Sequence, residues 1–275
     1  MTINRRQLLA LGGLGAAGAT LAACGDGASS KQGSDDIEER VVDFAGEHQA
    51  GIITPMQNNL HFAAFDVDPK ADREAVVDLL TRWTAAARRL VLGGEVSAKG
   101  AFGGGEKFPP DDSGEAFDLG PAGLTLTFGF GRSFFRDQLG LAGKLPAEFT
   151  EMPTMTNDLL NRDFSEGDLC IQACANDPQV ASHAIRNLTR MAVPTAVLRW
   201  SQIGFGRAGA TGAGESTPRN LFGQKDGTAN IRADEDGELA EHVWIPADAS
   251  QPWAAGGTYM TVRRIAMNIE VWDTL

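Results

Sequence analysis

At 275 residues, with 43% hydrophobic and 22% charged side chains, the chain is long enough for one large or two modest domains, each with a core of its own. Its net charge of −12 excludes the usual footprint of a nucleic-acid binder, which neutralises phosphates with clustered Lys and Arg. Small molecules or proteins are the expected partners.

The chain opens with MTINRRQ, basic through Arg5 and Arg6 and free of acids, followed by the apolar run LLALGGLGAAGATLAA and then Cys24. A basic start, a Gly/Ala-diluted apolar stretch and small residues before a cut site predict an export signal over 1–23. The run is too short and too weakly apolar for a stable membrane span. Paired arginines with mild hydrophobicity resemble a twin-arginine leader, a route that exports folded, cofactor-loaded proteins to the periplasm or another extracytoplasmic space. Leu21-Ala22-Ala23-Cys24 resembles a lipobox, which makes Cys24 a candidate for lipidation and membrane anchoring; the alternative is an ordinary cleaved signal with an incidental cysteine. Cleavage would take the net charge from −12 to −14. Residues 24–47, rich in Gly, Ser and charge at their start, read as a flexible tether.

The folded part begins with a strand-like segment, Gly51 to Val67. Asp72 to Leu92 predicts a helix, with Val76, Leu79, Leu80, Trp83, Ala87, Leu90 and Val91 at helical spacing, Asp72 near its start and Gly93-Gly94 after its end. Gly93 to Gly120 is too polar for core and reads as an extended surface loop. Leu124–Phe130 and Asp168–Ala175 alternate as strands. Pro178–Ala192 predicts a helix with Val180, Ala184, Leu188 and Met191 on its core face, and Val193–Phe205 a further strand. The order β-α-β-β-α-β implies an α+β fold, a ferredoxin-like sandwich over 48–207. After a Gly-rich linker, 208–275 reads as the beginning of a second such unit: a loop, the apolar piece Glu241–Pro246, a long strand Gly257–Trp272, and a helix start capped by Asp273. One strand cannot satisfy its own backbone, so it either joins the first sheet or belongs to a longer protein.

Few residues carry recognisable chemistry. Cys170 and Cys174 would share one strand face about 13 Å apart, too far for a disulfide, and read as buried or half-buried thiols. No histidine pair has metal-ligand spacing: His48 precedes the first strand, His61 and His242 fall in strand-like segments, and His183 shares with Asn187 and Arg190 the helix face opposite the apolar stripe, where exposure is expected. No residue is therefore read as a metal ligand. Asp226, in Thr217-Pro-Arg-Asn-Leu-Phe-Gly-Gln-Lys-Asp-Gly-Thr-Ala-Asn-Ile231, reads first as part of an Asp-Gly turn.

Its surroundings say more. HQAGIITPMQ (48–57), FAAFDV (62–67), LTLTFGFG (124–131), GDLCIQACA (167–175), DPQV (177–180), RWSQIGF (199–205) and FGQKDGTAN (222–230), in this order, resemble the dye-decolorising (DyP-type) haem peroxidases, in particular their exported, iron-uptake-associated, deferrochelatase-like branch. The resemblance covers about 46–275. It implies two ferredoxin-like domains with haem b in the second, so the chain looks truncated at its C-terminus. The family's Gly-x-x-Asp-Gly aspartate corresponds to Asp226, on the peroxide-binding side of the haem, and Gly227, Thr228 and Ala229 would line the haem, where small residues let backbone approach a flat macrocycle.

The family's axial histidine and its peroxide-side arginine have no match here; the axial ligand is expected beyond Leu275, and none of the four histidines occupies that place. The resemblance further implies hydrogen peroxide and a small organic or porphyrin substrate, a role in releasing iron from haem, and homo-oligomers or iron-uptake components as partners. The alternatives are a non-catalytic haem- or iron-binding lipoprotein and an inactive fragment. Trp253, Tyr259 and Trp272 are candidate electron relays, though each is more simply a packing or surface aromatic.

Overall fold

The structure, a computed structural model, describes residues 39–105, 107–206, 217–227 and 229–274. The expected leader and Cys24 lie outside them, as does Thr228. Four strands form one sheet: β1 (Asn59–Val67), β2 (Thr125–Phe130), β3 (Leu169–Ala175) and β4 (Ala196–Phe205), in the spatial order β2-β3-β1-β4 with every neighbouring pair antiparallel. The helices α1 (Arg73–Leu90) and α2 (Pro178–Ala192) follow β1 and β3 and cover one face. This is the ferredoxin-like arrangement expected from the order of elements.

Both helices start where side chains can satisfy their free amides. The Asp72 carboxylate accepts from Ala75 N at 2.9 Å, and Asp177 accepts from Gln179 N at 2.6 Å and Val180 N at 3.1 Å, with Pro178 in the first turn where no donor is needed. Val76, Leu79, Trp83 and Leu90 of α1 and Val180, Ala184 and Leu188 of α2 are buried against Ala63, Phe65, Val67, Ile171 and Ala173. Trp83 lies at the junction, its ring 5.3 Å from that of Phe65 and its Nε1–H donating to Leu188 O at 2.8 Å. A buried indole thus satisfies its one polar group on the neighbouring helix.

The segment before β1 is packed along the sheet rather than strand-like: the strand begins at Asn59. Its side chains close the exposed edge of β2. Gln49 Nε2 donates to Phe128 O at 3.0 Å while its Oε1 accepts from Phe128 N at 2.9 Å, so one side chain imitates a neighbouring strand. Gln57 donates to Gly123 O and to Thr125 Oγ1, both at 3.0 Å. Gly51 sits at φ +94°, and a Cβ there would come within 2.3 Å of Thr127 Oγ1, so glycine is required on both counts. Further back, Phe44 packs on the core and Arg40 O accepts from Gly123 N at 2.7 Å.

Three expectations are corrected. His183 is buried, not exposed, because the Gly93–Gly120 loop folds back over the polar face of α2. There Asp112, with no solvent exposure, accepts from His183 Nε2 at 2.8 Å, from Val96 N at 2.9 Å and from Gly114 N at 2.7 Å. Asn187 donates to Ser113 Oγ and accepts from Ser113 N, and Arg190 donates to Pro110 O. The loop therefore contributes a buried polar layer, which a helix wheel drawn for α2 alone cannot contain. Second, Gly257–Trp272 is not a strand: among the described residues no strand pairs its backbone with 258–268, and Ile269–Trp272 turns into a short helix, α4, with Asp273 at its C-terminal end. A period-2 pattern becomes a strand only when a partner takes up its backbone groups. Third, His242 ends a helix, α3 (Asp236–His242), in which Asp236 and Glu238 occupy the favoured first turn and only Leu239 is buried.

Candidate functional site

The segment containing Asp226 is a closed hairpin-like loop. Arg219 and Lys225 form an antiparallel bridge, and Asp226 N donates to Pro218 O at 2.9 Å. Between them the chain reverses on Asn220 and Gly223. Asn220 N donates to Gln224 O and Gly223 N to Asn220 O, both at 2.9 Å, while Asn220 Oδ1 accepts from Phe222 N and Gln224 N, both at 3.1 Å. Gly223 takes φ +75°, the left-handed region a tight reversal needs, and its carbonyl accepts from Arg219 Nη1 at 2.7 Å. The Phe222 ring lies 5.1 Å from that of Trp272 in α4, which fastens the loop to the C-terminal segment.

This framework presents Asp226 to the outside. Its carboxylate is exposed and makes no hydrogen bond or ion pair among the described residues. Gly227 follows at φ +80°, half-buried, and Ala229 is exposed, so the backbone beside the carboxylate carries no bulk. Thr228, expected to share that place, lies outside the described residues. The loop therefore brings together one free proton acceptor and a strip of small residues. The family motif points to Asp226 and not to Asn220, whose signal, an Asn inside a turn, is common to many loops.

The four histidines stand apart from one another. His48 stacks face to face on Trp244, with ring centroids 3.6 Å apart and planes within 2°, and its Nδ1 bonds Gly256 O at 2.7 Å, clasping the leading segment to the region after α3. His61 lies on β1 with Nδ1 buried and unbonded among the described residues, and burial lowers its pKa. His183 is held by Asp112, and His242 is exposed beside Glu238. Among the described residues no three His, Cys, Asp or Glu side chains are grouped to hold a metal ion. Cys170 and Cys174 are free and half-buried on one face of β3, and burial pushes both thiols up to about 11.

Of the candidate relay aromatics, Trp253 packs 5.6 Å from Phe135 and donates from Nε1 to Lys144 O at 3.0 Å. Tyr259 lies 5.4 Å from Phe149. Trp272 alone among them touches the Asp226 loop, through Phe222.

With this geometry in view, comparison with known proteins is informative. Residues 49–206 match the family model for the N-terminal part of Dyp-type peroxidases, and residues 217–275 match that for the C-terminal part. The deferrochelatase of Escherichia coli (strain K12) is 36% identical over 277 aligned residues, which cover 98% of this chain and 64% of the relative. Among solved structures, a DyP-type peroxidase from Streptomyces coelicolor is 37% identical with a TM-score of 0.76, over 88% of this chain and 61% of that one. One from Cellulomonas bogoriensis is 36% identical with a TM-score of 0.72, over 87% and 62%. The chain thus spans 64% of the length of the curated relatives it matches.

Proposed function

Because the chain belongs to the Dyp-type peroxidase family, we propose that the full-length protein is a haem-dependent peroxidase, using hydrogen peroxide to oxidise organic or porphyrin substrates, with Asp226 as its proton-transfer residue. The observation that carries the site is the Asp226 carboxylate, exposed, unbonded among the described residues and held on a backbone closed by the Pro218 contact.

The residues present fit one face of a haem. Asp226 offers a free carboxylate, and Gly227 and Ala229 offer small residues beside which a macrocycle can approach the backbone. The family resemblance matches none of the four histidines to the axial ligand: His48 and His183 are already bonded, His61 lies within β1 and His242 is exposed beside Glu238. A bound haem supplies the peroxide and one-electron chemistry.

The chain's own part is the proton. One Asp226 carboxylate oxygen would accept a proton from one peroxide oxygen and would deliver it to the other, while a bound haem would supply the two electrons that O–O cleavage to water requires. A carboxylate free of intramolecular partners can do both, because no hydrogen bond must break first. Export by the twin-arginine route, and anchoring through a lipidated Cys24, belong to the same reading and are supported by Arg5, Arg6 and Leu21-Ala22-Ala23-Cys24. So do the two-domain division near 207, self-association and contact with iron-uptake components.

A second reading is favoured by the curated relatives' name, deferrochelatase: the protein would release iron from haem without needing peroxidase turnover. Incubating the full-length protein with haem, with and without hydrogen peroxide, and measuring dye oxidation, released iron and metal-free porphyrin separates the two. Peroxide-dependent oxidation supports the first; iron and intact porphyrin without peroxide consumption support the second.

A further inference from the structure

We infer that Asn220 is the positioning residue for Asp226, holding the carboxylate in place from six residues upstream. The inference rests on the acid–base reading of Asp226 for its functional meaning and on the loop geometry for everything else.

The Asp226 carboxylate has no side-chain partner among the described residues, so its location follows from the backbone alone. That backbone is fixed at two levels. At its base, Asp226 N donates to Pro218 O at 2.9 Å. At its tip the loop turns on Asn220, which makes four hydrogen bonds to the three residues 222–224: two through its own N–H and C=O, at 2.9 Å, and two accepted by Oδ1, at 3.1 Å. The backbone pair alone closes the reversal. The Oδ1 pair adds a second fastening to the strand that leads into Lys225 and Asp226, and thereby fixes the register in which Asp226 meets Pro218.

Among the described residues no other side chain of the loop binds two of its amides. Arg219 reaches one carbonyl, that of Gly223, and Phe222 contributes packing on Trp272. The chemistry required at position 220 is thus a short side chain with an acceptor three bonds from Cα, able to enter a tight turn. Asp can replace Asn on both counts, whereas Ala cannot. Loss of the acceptor frees residues 222–224, and Asp226 then samples positions in which its carboxylate no longer reaches a bound peroxide.

The test uses the full-length protein with Asn220→Ala and Asn220→Asp, read by amide hydrogen exchange and by steady-state kinetics. Asn220→Ala is expected to raise exchange at Phe222 and Gln224 on the order of tenfold. It should lower kcat while leaving the KM for the reducing substrate unchanged. Asn220→Asp should restore both. Unchanged exchange at Phe222 and Gln224 overturns the proposal, as does an equal rise at the core amides of Ala63 and Phe65, which would mark a global effect. Asp226→Asn, measured alongside, separates the two claims: wild-type turnover there removes the acid–base role of Asp226, while the exchange data still decide whether Asn220 holds the loop.

Discussion

The imidazole of His183 and the carboxylate of Asp112 meet at 2.8 Å beneath the Gly93–Gly120 loop, the carboxylate without solvent exposure and the imidazole 5% exposed. Burial raises the Asp112 pKa, but the hydrogen bonds from His183, Val96 N and Gly114 N outweigh it and hold the carboxyl below its ordinary value. A depressed carboxyl pKa contributes stability that is fully present above the unfolded value, near 4, and is lost as pH falls through the lower folded value. His183→Ala is expected to cost about 3 kcal/mol at neutral pH, because it strands part of a buried charge. Urea unfolding checks both statements: the midpoint should fall in the variant, and the gap between wild type and Asp112→Asn should narrow on acidification below about pH 4.

Gln49 occupies the edge of β2 as a strand would, meeting both the N–H and the C=O of Phe128. Gln49→Ala should lower stability by about 1–2 kcal/mol, the net worth of two hydrogen bonds, and leave that edge open to pairing between molecules. Urea denaturation gives the first number. Light scattering at raised protein concentration gives the second, with more self-association expected in the variant than in the wild type.

Cys170 and Cys174 stand on β3 with thiols pushed up to about 11 by burial. At pH 8 these two thiols in the native protein should therefore react with a thiol reagent about a hundredfold more slowly than free cysteine, since only the thiolate attacks. Reaction in 8 M urea, by contrast, should be fast at both positions. Equal rates in native and unfolded protein would mean that β3 is not covered as described.

The fold was legible where the information is local. Pro178–Ala192 is read from a first-turn Pro and a repeating apolar face, and the helix has those same bounds. The β-α-β-β-α-β order follows from periodicity and leads directly to the sheet order β2-β3-β1-β4. What periodicity missed depends on partners. His183 looks exposed until Asp112, 71 positions away, is brought over it. The alternation in 257–272 looks like a strand, yet among the described residues no strand pairs its backbone with 258–268. At the proposed site, Asp226 was singled out by a motif, because the Asp-Gly step and the small residues after it are contiguous. Asn220 was not, because its importance lies in two bonds to the far side of a turn.

Asp226 is the centre of the account, and its carboxylate is best tested by the speed of the first chemical step. The measurement is the second-order rate at which hydrogen peroxide alters the haem spectrum of the full-length protein, followed by stopped flow in the wild type and in Asp226→Asn. Loss of a positioned proton-transfer group predicts a fall on the order of a hundredfold or more, with haem content unchanged. A rate equal to that of the wild type, at equal haem content, would contradict the assignment of Asp226 to peroxide cleavage.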